Sequence, residues 1–182
     1  MLSIPAKRSE PYNITPCLSA FIKNQYGDES GKFAQDVTSL QQTRHSAVSV
    51  VEPNDIGKQN ILRYNHHLSF LVTRFSGYEA EIKFKFPWFD AYKPSFRYES
   101  HSLYYDWACA LWNLASFESV RGCKVERSSD EGIRSACKHF LQAAGTFDFI
   151  KTEITKNIKG GVSADLSDDG LDMVKNVRHD IW

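Results

Sequence analysis

The sequence predicts a mainly α domain with a small antiparallel β-sheet inserted midway. Three observations carry that prediction. Several long stretches place apolar residues at steps of three and four, the spacing of one helix face. One stretch, AEIKFKFPWFDAY, alternates Ile82, Phe84 and Phe86 with Glu81, Lys83 and Lys85, the period of a half-buried strand. A third, HSLYYDWACALWNLASFESV, is apolar almost all round, as in a helix buried on several sides.

The elements follow in order. Residues 2–7 read as a short strand. Thr15 reads as an N-cap with Pro16 in the first turn, and the helix it opens carries Leu18, Phe21 and Ile22 and stops near Gly27. A second helix is predicted from about Glu29, with Phe33, Val37, Leu40, Ala47, Val48 and Val51 on its apolar face and Pro53 at its end. A third places Ile61, Tyr64, Leu68, Leu71 and Phe75 in alternating steps of three and four, a seam that suits antiparallel packing on the second. The alternating strand is expected to close at Pro87 and to pair with a strand near Phe96-Arg97-Tyr98. In the apolar helix at 101–120, Asp106 and Glu118 are the only acidic charges. The next helix is expected to start at Ser128 with Glu131 in capping-box spacing, and to bury Ile133, Ala136, Cys137, Phe140, Ala144 and Phe147. Its run Ala143-Ala144-Gly145 invites a close neighbour, with Trp107, Leu111, Trp112 and Leu114 filling the space. IKGGVSAD reads as a loop, and Ser167 with Asp168 and Asp169 opens a last helix through Leu171, Val174 and Ile181.

Composition bounds the function. The 182 residues hold 22 basic and 22 acidic side chains, so no net field draws the chain to nucleic acid. No run approaches the ~20 apolar residues of a membrane span, and MLSIPAKRSEPYN lacks a signal-type apolar core. Cys17, Cys109, Cys123 and Cys137 form no CxxC pair and read as reduced thiols of a cytoplasmic protein. Phosphate-loop, dinucleotide, HExxH and GxSxG motifs are missing. His66 and His67, adjacent on a helix, point about 100° apart and do not chelate together. Cys137 and His139 are poorly placed as nucleophile and base, and Phe86, Trp88 and Phe89 read as strand core. The expectation is a non-enzymatic protein with no cofactor and no metal.

Three segments resemble one family. FKFPWFDAY, YYDWACALWNLAS and DEGIRSACKHFLQAAGTFDFIK, in this order and after MLSIPAKRSE, look like the BRO domain of the ALIX and PalA endosomal-sorting scaffolds. The resemblance covers most of residues 1–172. It implies the N-terminal half of a helical, tetratricopeptide-like solenoid with a small inserted sheet. It further implies an adaptor, recruited from the cytoplasm to endosomes as a peripheral protein, that binds the amphipathic C-terminal helix of a Snf7-type ESCRT-III subunit in multivesicular-body sorting or pH-response signalling. The family's polar binding row maps onto Asp130, Arg134 and Lys138, with arginine where the family has lysine. Spacing alone describes a solvated helix face with an internal Asp130–Arg134 pair; the binding role comes from the resemblance. The other, apolar half of the family's site maps past Trp182, and residues 173–182 depart from the pattern. Residues 1–182 therefore read as a C-terminally truncated BRO domain. A generic helical interaction module and a non-functional truncated isoform are the alternatives.

Overall fold

The computed structural model describes residues 3–50 and 53–176. Seven α-helices and one two-stranded sheet account for most of them. In chain order they are α1 (Thr15–Tyr26), α2 (Ala34–Val48), α3 (Asp55–Phe75), α4 (Glu79–Ile82), β1 (Phe86–Phe89), β2 (Arg97–Ser100), α5 (Leu103–Lys124), α6 (Asp130–Phe149) and α7 (Asp168–Asn176). Helices α2, α3, α5 and α6 pack in succession, with α1 on α2 and α7 on α6. The architecture is the predicted one, helical with a small antiparallel sheet between α4 and α5.

Helix α5 is the centre of the fold. Tyr105, Ala108, Cys109, Trp112 and Ala115 are fully buried, because α3, α6 and β1 cover it from different sides. Its first turn is capped from outside: the buried Glu79 accepts from Leu103 N at 2.6 Å and from Ser102 Oγ at 3.2 Å, a carboxylate placed at the positive end of the helix. The polar side chains of α5 hold the N-terminal segment. Lys7 N donates to Asn113 Oδ1 and Asn113 Nδ2 to Lys7 O, at 2.7 and 2.9 Å, while Ile4 exchanges hydrogen bonds with Ser116 and Ser119.

Those contacts correct the expected strand at 2–7. Ile4, Pro5 and Lys7 bond their backbone to side chains of α5 rather than to a neighbouring strand, and residue 2 lies outside the described residues. Strand-like pairing begins later, where Ser9 bridges Trp88 and Phe89 N donates to Arg8 O at 2.8 Å. A second correction concerns the sheet. Glu79–Ile82 is a helical turn, and Lys83 at φ 60° turns the chain into β1. The alternation of buried and exposed residues from Ile82 to Phe86 survives, but Pro87 sits inside the strand opposite Glu99, not at its end. Proline is tolerated there because no ladder partner needs its missing N–H.

Helix starts shift by one or a few residues. The N-cap of α1 is Ile14, with Thr15 and Pro16 in the first turn, and Asn13 Oδ1 accepts from Thr15 N. A 3₁₀ turn from Gly27 to Phe33, entered at φ 55° on Gly27, delays α2 to Ala34. Val51 and Ile181 lie outside the described residues.

Candidate partner-binding face

Helix α6 carries the predicted row. Ser129, not Ser128, is its N-cap, its hydroxyl accepting from Gly132 N at 3.2 Å. Gly132 must be glycine, because a Cβ there would lie 2.0 Å from Glu126 O. The chain therefore folds back tightly before the helix and aims its first turn outward. Asp130, Arg134 and Lys138 are all exposed and fall on one slowly drifting stripe. None of the three makes an ion pair or hydrogen bond through its side chain among the described residues, so the expected Asp130–Arg134 pair does not form. The stripe is an uncommitted row of charge.

Next to it runs an apolar stripe, of which Ile133 and Cys137 were expected in the core. Ile133 is 45 % exposed and Leu141 is 55 % exposed, and with Cys137 they border Arg134 and Lys138. The residues that α6 buries are Ala136, Ala143 and Phe147. Ala136 and Phe147 are core as expected, whereas Ile133 is exposed and Cys137, Phe140 and Ala144 are half-buried; Trp112 sets the angle of α6 on α5 by standing edge-on to Phe147 at 5.0 Å. Ala143 is the close-packing residue; Gly145 is exposed, with open space where a Cβ would stand.

Three ionic clusters built on buried charges fix the frame behind this face. Asp106 on α5 is fully buried and accepts from four donors: Arg44 Nε at 3.3 Å, Arg44 Nη2 at 3.1 Å, Trp88 Nε1 at 2.7 Å and the Tyr64 hydroxyl. It thereby ties α2, α3, β1 and α5 together. Burial and the adjacent Asp106 carboxylate push the Tyr64 hydroxyl well above its ordinary pKa, so it stays a donor. Lys7 pairs with Asp165 where both side chains are fully buried, and Asp165 also accepts from Ser163 Oγ at 2.6 Å and Ala91 N at 2.7 Å. Glu118 lies 2.6 Å from Lys58 Nζ on α3 and 2.7 Å from His139 Nδ1 on α6, pinning both helices to α5.

Glu118 gives a pH prediction. Burial alone would raise its carboxyl pKa, but the Lys58 ammonium and the His139 ring outweigh burial and hold it below the usual carboxylate value. A lowered folded-state pKa contributes stability that is complete above the ordinary carboxylate pKa and is lost as pH falls through the lowered one. The stability gap between wild type and Glu118→Gln, from urea unfolding, is expected to be widest near neutrality and to shrink below about pH 4.5. A gap that stays constant from pH 7 to 3 would refute this.

The other candidates stay structural. Burial pushes the Cys109 thiol well above its ordinary pKa, away from reactivity. Cys17, Cys109, Cys123 and Cys137 form no disulfide among the described residues. His139 faces Glu118, and Phe86, Trp88 and Phe89 are strand core. Among the described residues, no three His, Cys, Asp or Glu side chains converge as a metal site, and no helix is long and apolar enough to cross a membrane.

Helical layers joined to a two-stranded sheet, with α5 buried at the centre, are the plan of a known family. The BRO1-like domain model matches residues 1–179, and the chain belongs to that family. ALG-2 interacting protein X of Dictyostelium discoideum is 30 % identical over 172 residues, covering 94 % of this chain and 22 % of the relative. The solved complex of the ALIX BRO1 domain with CHMP4C superposes with a TM-score of 0.85 at 24 % identity, over 96 % of this chain and 52 % of that one. A Bro1 domain solved as the basis for endosomal targeting gives 0.79 at 21 % identity, over 100 % of this chain and 49 % of that one. The chain thus spans about a fifth of that relative and about half of each solved chain.

Proposed function

We propose that this chain is a non-enzymatic adaptor that binds the amphipathic C-terminal helix of a Snf7-type ESCRT-III subunit and is recruited from the cytoplasm to endosomes. The observation that carries the reading is the row Asp130, Arg134, Lys138, exposed and unpaired on α6 of a BRO1-like domain. Arg134 and Lys138 can pair with carboxylates of a docked helix, Asp130 can accept from a basic residue, and the neighbouring Ile133 and Leu141 offer an apolar strip. The solved relative with CHMP4C and the endosomal-targeting relative support the same direction. The row is charged and the apolar strip beside it narrow, so the proposed binding is salt-sensitive.

Titration of a Snf7-type C-terminal helix peptide tests this. The double substitution Arg134→Glu/Lys138→Glu is expected to weaken binding about tenfold, ~1.4 kcal/mol. Unchanged affinity would return the row to a solvated face. Failure of the peptide to bind either this chain or a form extended to a whole domain would end the proposal.

A further inference from the structure

A second surface lies at the other end of the helix stack, away from α6 and α7. Helices α1, α2 and α3 enclose an open apolar groove of about 400 Å³, floored by Leu18, Ile22, Val37, Leu40, Leu71 and Phe75. It continues along the α2/α3 hairpin into a polar trough of about 200 Å³. Two rows of side chains face each other across this length. The α2 row is Asp36, Ser39, Thr43 and Ser46; the α3 row is Asn60, Arg63, His67, Phe70 and Arg74. Both rows step by three and four, the spacing with which a helix presents a seam to another helix. Helix α3 thus has two seams. Ile61, Tyr64 and Leu68 are spent on the core, while the outer one is uncovered.

Two features of the outer seam are not those of an ordinary wet face. Phe70 is 63 % exposed at the lip of the apolar groove. The charge is also sided. The α3 wall carries Arg63 and Arg74, whereas the α2 wall is hydroxylated and carries only Asp36. Arg63 has no hydrogen-bond or ion-pair partner among the described residues, and Arg74 only donates to the Tyr26 hydroxyl, at 2.6 Å. Burial lowers the pKa of His67, helped by the neighbouring His66 and Arg63, so it adds no charge at neutral pH.

We infer that the α2/α3 groove is a second docking site, and that its occupant is an acidic amphipathic helix of a partner protein. Its apolar residues enter between Phe70 and the groove floor, and its carboxylates lie along the α3 wall against Arg63 and Arg74. This is the helix-in-groove mode, with charge fixing the direction of approach. The site is independent of the α6 row.

The probe is a fluorescent stapled helix of about four turns, with leucines at i, i+3, i+4 and i+7 and glutamates flanking them. A matched peptide carries lysines in place of the glutamates. The glutamate peptide is expected to bind in the micromolar range and the lysine peptide at least about tenfold more weakly. Phe70→Asp should weaken the glutamate peptide about tenfold, and Arg63→Glu should reverse the preference between the two. Both positions are exposed, so circular dichroism should show an intact fold; Ser39→Glu, on the opposite wall, tests the same point if either variant fails to fold. Arg134→Glu should leave this binding unchanged. The inference is overturned by three results: no saturable binding of the glutamate peptide, binding indifferent to Phe70→Asp and Arg63→Glu, or sedimentation showing a dimer that Phe70→Asp dissociates, which would make the groove a contact with a second copy.

Discussion

Replacing Asp106 with alanine is expected to destabilise the chain by about 3–5 kcal/mol, the cost of stripping one partner from a buried ion pair. The side chain is fully buried and its two oxygens accept from Arg44, Tyr64 and Trp88. Without it, a guanidinium, a phenol and an indole are left with no acceptor in the middle of the protein, and each buried donor adds a cost of its own. A domain of ordinary stability has about 5–15 kcal/mol in all, so the variant should be largely unfolded at modest urea. Asp106→Asn keeps the volume but not the charge, and should resemble the alanine variant more than wild type. The pair Arg44→Met/Asp106→Leu should cost less than Asp106→Ala alone, because no charge is left buried without its partner. Urea unfolding followed by circular dichroism decides it. A loss below ~1 kcal/mol for Asp106→Ala would mean that the network is not what joins α2, α3, β1 and α5.

Lys7→Ala is the second large effect, near the lower end of that same range of ~3–5 kcal/mol. Lys7 and Asp165 are fully buried, but Asp165 also accepts from Ser163 and Ala91, so its charge is not abandoned when the ammonium goes. What is lost is the tether between the N-terminal segment and the turn that leads into α7. Hydrogen exchange should therefore report a local change. The amides of Ala91 and Leu166 are expected to lose protection before those in the middle of α5. Uniform loss across the chain would argue that Lys7 acts on global stability instead.

The Asp106 and Glu118 predictions rest on residues that the sequence marked without explaining, whereas the Lys7–Asp165 pair had no mark in it. Asp106 and Glu118 stood out as the only acids of an otherwise apolar helix. An acid in such a place must be paired, yet its partners sit 62 positions away in Arg44, for Asp106, and 60 and 21 positions away in Lys58 and His139, for Glu118. Nothing in local spacing names them. The α6 row was legible differently. Asp130, Arg134 and Lys138 share a stripe on any helix, and the resemblance alone gave that stripe a role. The structure adds that the row is exposed and unpaired.

The sequence by itself determined what depends on near neighbours along the chain. Periods of 3.6 and 2 set the helices and the alternation from Ile82 to Phe86, and the three matching segments set the family. Tertiary structure decided which face of each helix is covered. Ile133 and Cys137 have the spacing of core residues, yet Ile133 looks outward while Ala143, from the small-residue run, is buried, because Trp112 and Phe147 fix how α6 rolls on α5. The outer seam of α3 tells the same story: its spacing is as regular as that of the inner one, and only the absence of a covering helix among the described residues makes it a groove. Periodicity is a property of one backbone, whereas burial belongs to a pair of surfaces, and the second surface is far away in the chain.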